Sequence, residues 1–524
     1  ELGFEYPGQF LWHNNKESGK KMLKSAAIFS DHMVLQRNKK ICIFGEGISG
    51  RIVSVTLGED KASNKCRDGK WMVYLPEREA GENLHMEISD GKETICFEDV
   101  AVGEVWLAGG QSNMELELKD ADEGACLLKE GIPESVRYYY TPKLAYKDEA
   151  YGKIFEESHW ELFNEKDGAK WSAVGVFFAR KLAARLNVTV GIVGCNWGGT
   201  SASCWMGREM LLWQDETRSY VEEYDALDLV RKPEGEQIKE YQEYLRYQEE
   251  WDQKAAKVYE KEPMISFDKV QELIGECKYP GPMNCANFTR PAGLYETMLK
   301  KVMPYTVKGF LYYQGESDDH KPGSYYALLT AMIRQWRQDW GDDTLPFLMV
   351  QLPMHRYQHD PDTKSWCIIR ESQMRAFHMI RNTGIAVIID CGQFHEIHPK
   401  NKKPVGERLA LQALCGVYHV IHEEEAFGPV YRDFLYRDGG MEISFDYAEN
   451  GFICRGKKPS GFELAGDDGV FKDAEAEFQG NKVFLQSEEV EEPVMARYLW
   501  TNYGEVTVSG VNNLPMAPFR THIF

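Results

Sequence analysis

The sequence predicts an α/β fold in which a parallel sheet is built between two β-rich regions. Three observations carry this. Short apolar runs alternate with turn residues from 28 to 100; beyond Ser112 helical periods alternate with continuous apolar strands; and from about residue 430 a period of two returns. At 524 residues the chain exceeds what one hydrophobic core usually organises, so several domains are expected.

Taken in order, residues 1–24 are polar and aperiodic and read as an N-terminal arm. Residues 25–100 read as a β-sandwich, with strands at 33–35, 41–44, 52–57, 71–75 and 84–88 separated by Gly- and Asp-rich turns. Residues 101–206 open the α/β part: a central strand at 105–108, a turn at Gly109-Gly110, a helix start at Met114, a helix over 172–186 and a strand over 188–193. Residues 207–284 form a helical insertion dominated by a charged helix at 236–260, with Ile238, Tyr241, Leu245 and Trp251 near one face and Pro280-Gly281-Pro282 closing it. The α/β pattern resumes over 285–428, with helices at 294–302, 368–381 and 405–418 and strands at 309–313, 345–352 and 384–390. A C-terminal β region over 429–524 holds strands at 441–445, 462–465, 482–485 and 505–508.

Composition narrows the partners. A net charge of -21 repels nucleic acid and anionic membranes, and no apolar run is long enough for a membrane helix. The first residues lack the pattern of a secretory signal. Twelve cysteines without a C-x-x-C pair favour a reducing, cytoplasmic setting, with Cys42, Cys96, Cys195, Cys391 and Cys415 acting as small buried hydrophobes.

Four polar turns follow apolar strands, where ligands gather in parallel sheets. They begin at Ser112, at Cys195, at Gln314 and at Asp390. Acyl transfer needs a hydroxyl, a base and donors for an oxyanion. Ser112 is the nucleophile candidate and His398, restrained by Pro399, the base. The N–H groups of Ser112, Gly198 and Gly199 and the side-chain amide of Gln314 are the donor candidates. Met114 stands where a G-x-S-x-G elbow requires glycine, which disfavours an ordinary α/β-hydrolase. His395 and His398 are one residue too close for H-E-x-x-H, so no metal is expected. His419 and His422 read as surface or packing residues, Asp318-Asp319 as a solvated loop, and Trp197, Trp205 and Tyr313 each as core packing first, with a sugar-facing role as the alternative.

These segments together resemble the sialate O-acetylesterase family of SGNH-type hydrolases. The likeness rests on residues 28–36, 102–106, Gly110-Gln111-Ser112-Asn113-Met114, Trp197-Gly198-Gly199-Thr200, Tyr313-Gln314-Gly315-Glu316-Ser317, Ile397-His398-Pro399 with 405–410, and 518–521. It covers most of the chain outside the arm and the helical insertion. The resemblance implies a flavodoxin-like three-layer α/β domain flanked by β domains, Ser112 as nucleophile, His398 as general base and Gln314 in the oxyanion role. Many SGNH enzymes carry the triad aspartate three residues before the histidine, and here His395 stands there. The orienting acid is then Glu396, Asp390 or Glu316, or a backbone carbonyl serves instead, with Glu396 preferred.

The expected activity is a serine esterase that removes acetyl groups from O-acetylated sugars through an acetyl-enzyme, with no cofactor and with Trp197, Glu316 and Asn113 toward the substrate. An acetylesterase acting on xylan or mannan, an acetyltransferase and a non-catalytic carbohydrate-binding protein are the alternatives, and the sugar and the oligomeric state stay open.

Overall fold

The computed structural model describes residues 23–147, 151–262, 265–357, 360–456 and 458–522. The arm expected over 1–24 lies outside them except for its last two residues. The described chain is a mixed α/β structure with several sheets.

Strands β1 (Val34–Gln36), β2 (Ile52–Leu57), β3 (Gly81–Ser89) and β4 (Thr94–Gly110) join in one sheet. β4 is 17 residues long, roughly 55 Å at about 3.3 Å per residue. Its first half pairs antiparallel with β3, from Ser89↔Thr94 to Gly81↔Val102, while β1 pairs parallel with Ala101–Gly103. Its second half is the central strand of the parallel sheet. The burial pattern follows: near Thr94 exposed and inward residues alternate, whereas every residue from Val100 to Gly110 is buried because both faces are covered. β4 thus runs without a break through the domain boundary expected at 100–101.

Two expectations are corrected on this strand. Cys96 is exposed, because alternation turns Phe97 inward and the thiol outward. Gly109 and Gly110 do not turn the chain. They are the last paired residues of β4, opposite Cys195 and Asn196 on one side and Tyr312 and Tyr313 on the other. Close approach explains them: a Cβ on Gly109 would lie 2.7 Å from the Trp336 ring, and one on Gly110 2.1 Å from the Tyr313 carbonyl oxygen.

After β4 come α1 (Ser112–Glu115), a single turn, and β5 (Val136–Tyr140), whose Val-Arg-Tyr-Tyr-Tyr sequence carries no alternation and was not foreseen. Helix α2 (Ala173–Leu186) starts where Ser172 Oγ accepts the Gly175 N–H at 3.0 Å, and leads into β6 (Val190–Asn196), buried throughout. The helical stretch that follows is dominated by α3 (Glu234–Lys261), with Tyr241 and Trp251 buried but Leu245 exposed. Then follow β7 (Gly309–Tyr313), α4 (Tyr325–Asp339), β8 (Phe347–Gln351), α5 (Ser365–Met379), β9 (Thr383–Val387) and α6 (Lys403–Gly416).

The parallel sheet has the order β5-β6-β4-β7-β8-β9, edged by an antiparallel two-residue strand, Trp160–Glu161. Helix α2 packs against α6, and α4 against α5. The carboxyl ends of β4, β6 and β7 lie side by side, with Gly110 between Asn196 and Tyr313. This register brings three of the four polar turns to one rim. Beyond Val430 a separate apolar cluster forms around Met441, Ile443, Phe445, Phe462, Leu464, Val483 and Leu485, and takes in Met354 and Ile389 from the α/β part. The strand expected at 505–508 is Val508–Gly510.

Candidate active site

The backbone of Gln111 is pinned at the rim by its N–H on the Tyr313 carbonyl (3.1 Å), while its side-chain oxygen accepts the Ser317 N–H (3.1 Å). Ser112 follows, and its carbonyl accepts the Leu116 N–H (2.8 Å), which closes the turn of α1. Across the rim, the loop from β9 to α6 carries His398. Nε2 of His398 lies 2.8 Å from Ser112 Oγ, although 286 positions separate the two residues. Partial burial of the ring holds the imidazole below its ordinary pKa, with Lys402 acting in the same direction and Glu396 and Glu115 opposing.

None of the three acid candidates reaches Nδ1. Glu396 turns back on its own loop, where Oε1 accepts the His398 backbone N–H at 2.8 Å. Asp390 is engaged in a two-pronged ion pair with Arg408, at 2.5 and 2.7 Å. Glu316 is buried and accepts from Asn113 Nδ2 at 2.6 Å. Among the described residues no carboxylate hydrogen-bonds Nδ1 of His398.

The donor candidates divide. Gln314 is completely buried and its amide is spent elsewhere, on Asp318 Oδ2 (2.6 Å) and the Thr200 carbonyl (3.2 Å), so it is not free for an oxyanion. The Gly198 N–H donates to Glu115 Oε2 at 2.6 Å. The N–H groups of Ser112 and Gly199 have no acceptor among the described residues. Gly198 presses against Ser112: a Cβ there would lie 3.1 Å from Ser112 Cβ.

Other expectations shift with burial. Asn113, expected toward substrate, is completely buried. Asp318 is not solvated but fully enclosed, accepting from Ser201 Oγ (2.6 Å), Ala202 N–H (3.0 Å), Tyr220 OH (3.2 Å) and Gln314. Trp205 and Tyr313 are core residues, as the packing reading expected. Trp197 is half-buried and stacks on Phe288, ring centres 4.8 Å apart. Phe288 and Tyr279 both lie in the chain that returns from the helical stretch; a Cβ on Gly199 would meet the Tyr279 hydroxyl at 2.2 Å. His395 sits apart from the serine, its Nδ1 2.9 Å from the Arg356 carbonyl. The described residues whose donor atoms come within metal-binding reach lie elsewhere: His85, Glu87 and Cys96, all exposed, within 4.8 Å of one another on β3 and β4.

Three residues of the site were not singled out by sequence reasoning. Glu115 accepts from Gly198 and pairs with Lys143, which also lies 5.9 Å from the Trp197 ring. Lys402 is buried and donates to Asn113 Oδ1 at 2.5 Å. Lys402 falls in the run Lys400-Asn401-Lys402-Lys403, which looks like any solvated loop before a helix.

The model of the carbohydrate esterase, sialic acid-specific acetylesterase family matches residues 277–415, which include Gln314, Glu316, His398 and Lys402. Sialate O-acetylesterase of Mus musculus is 26% identical over 430 residues, covering 75% of this chain and 73% of that protein. The Homo sapiens enzyme is 25% identical over 428 residues, covering 75% of this chain and 71% of its own. Among solved structures, a carbohydrate acetylesterase from Xanthomonas citri superimposes with a TM-score of 0.76 at 28% identity, covering 96% of this chain and all of that one. These matches mark the chain as a carboxylic ester hydrolase of the carbohydrate O-acetylesterase class, similar to the sialate O-acetylesterases.

Proposed function

We propose that the chain is a serine esterase that removes O-acetyl groups from acetylated sugars. Ser112 Oγ attacks the acetyl carbonyl while His398 Nε2 takes its proton; the sugar oxygen leaves with that proton, and an acetyl-enzyme remains. Water then attacks the acetyl group, losing a proton to His398; the bond from Ser112 Oγ to the acetyl carbon breaks, Oγ takes the proton back, and acetate is released. The 2.8 Å contact between Ser112 and His398 carries this reading.

The oxyanion is taken by the N–H groups of Ser112 and Gly199, with Gly198 joining when the Glu115 carboxylate turns away toward Lys143. Ser112 and His398 act as a dyad, and Glu396 serves at one remove, fixing the His398 backbone and adding negative charge beside the ring. Trp197, Phe288 and Tyr279 wall the acetyl-sugar side. We further propose the three-layer SGNH arrangement, with flanking β domains and a helical insertion. Leaving out β5, the outermost parallel strand, the order β6-β4-β7-β8-β9 matches the flavodoxin-like pattern, and this supports it.

Fluorophosphonate labelling mapped by peptide mass, together with acetate release from a panel of acetylated glycans, tests the reading. Modification at Ser112 with parallel loss of acetate release is expected, and labelling elsewhere rejects it. Two further outcomes are expected. The acid limb of kcat/KM falls below the ordinary imidazole value of 6.5, because His398 must be neutral to accept a proton. Since Glu396 raises the ring's pKa, Glu396→Gln moves that limb to still lower pH, and a limb that moves up contradicts the role given to Glu396. Tyr279→Ala raises KM roughly five- to tenfold, about 1 kcal/mol of binding, with kcat little changed; an unchanged KM in the same assay removes Tyr279 from the substrate wall.

A further inference from the structure

Asn113 stands next to the nucleophile in sequence but is sealed from solvent. Its amide bridges two buried charges: Oδ1 accepts from Lys402 Nζ at 2.5 Å and Nδ2 donates to Glu316 Oε1 at 2.6 Å. The second hydrogen on Nδ2 reaches the Ile397 carbonyl at 2.9 Å, the residue before His398. An amide flanked by a cation on one side and an anion on the other has a single favourable orientation, since a flip would set N–H against ammonium and C=O against carboxylate. We propose that Lys402 and Glu316 are positioning residues: their opposite charges lock the Asn113 amide so that it holds the Ile397 carbonyl, and with it His398, within reach of Ser112.

The electrostatics favour this over a stabilising role. Burial pushes the Glu316 carboxyl up to about 6 against Asn113 and Lys402, with Asp319 adding to the rise. Burial also brings the Lys402 amine down to about 8, against Glu316, Cys391 and Glu396. The Tyr313 ring lies 5.4 Å from Nζ. A raised carboxyl contributes stability below its ordinary range and loses it as pH rises through about 6; a lowered amine contributes above its ordinary range and loses it as pH falls through about 8. At pH 7 both groups are therefore charged at the expense of folding. A buried pair that costs stability is consistent with a role in orienting its neighbours.

The inference rests on the esterase reading, and the test separates the two. In the double variant Glu316→Gln with Lys402→Met, both charges leave together, so neither is stranded. Hydrolysis of p-nitrophenyl acetate, fluorophosphonate labelling and thermal melting are measured beside the parent. The expected result is a melting temperature at or above the parent's, with kcat lowered at least tenfold, KM within about twofold, and labelling of Ser112 slowed in step with kcat. A double variant that keeps the parent's kcat overturns the proposal. So does one whose loss of kcat is matched by a lower melting temperature, which makes the pair merely structural. A parent that is not labelled at Ser112 defeats the esterase reading instead.

Discussion

Replacing Ser112 by alanine is expected to lower kcat for acetate release by about 10⁴-fold or more, with the melting temperature little changed. The magnitude follows from the role. Without the hydroxyl no acetyl-enzyme forms, and only donors and binding contacts remain, which in serine hydrolases leave a small residual rate. Stability is spared because the Ser112 hydroxyl's partner is a ring at the rim, not a group of the core. Acetate release by the pure variant checks it, and a rate within tenfold of the parent ends the nucleophile assignment.

Gly110→Ala is expected to be among the most damaging single-methyl changes in the chain. The added Cβ would lie 2.1 Å from the Tyr313 carbonyl oxygen and 3.1 Å from its nitrogen, and both are backbone atoms of the neighbouring central strand. They cannot swing aside like a side chain. The residue also holds φ at +136°, which an L side chain rarely adopts. Either β4 and β7 separate at their ends or the turn before Ser112 moves. We expect a loss of about 4–5 kcal/mol or more in chemical denaturation, and activity below detection even in whatever folds. A variant within about 1 kcal/mol of the parent would mean that the close approach at this point is not needed.

Much of this arrangement was legible in the chain itself. β7 has the bounds that its apolar run predicts, Gly309–Tyr313, because it is buried on both faces and stops at a polar turn. Helix α2 announces its start through Ser172. Ser112 and His398 were legible because each stands in a short polar turn after a strand, and parallel topology gathers such turns on one rim. What escaped was of a different kind. Tyr138 and its neighbours in β5 carry hydroxyls and an arginine inside the core, so periodicity does not reveal them. Lys402 and Asp318 are charged residues in loop-like runs, and only tertiary enclosure tells a buried charge from a solvated one. The orienting acid was illegible because the partner of Glu396 is decided within its own loop: the backbone N–H two residues on lies nearer than the ring.

The 17-residue β4 has a consequence for how the molecule tolerates damage. One strand serves as both the frame of the outer sheet and the post on which the serine stands, and its irregularities, two register shifts against β3 and Asp99 at φ +50°, fall in the frame and not in the post. A slip of one residue against Gly81–Ser89 would carry the hydroxyl about 3.3 Å along the strand axis and turn inward side chains outward over the whole length. The distant hairpin thus acts as a ruler for the chemistry, and trimming it away would leave the serine without its gauge.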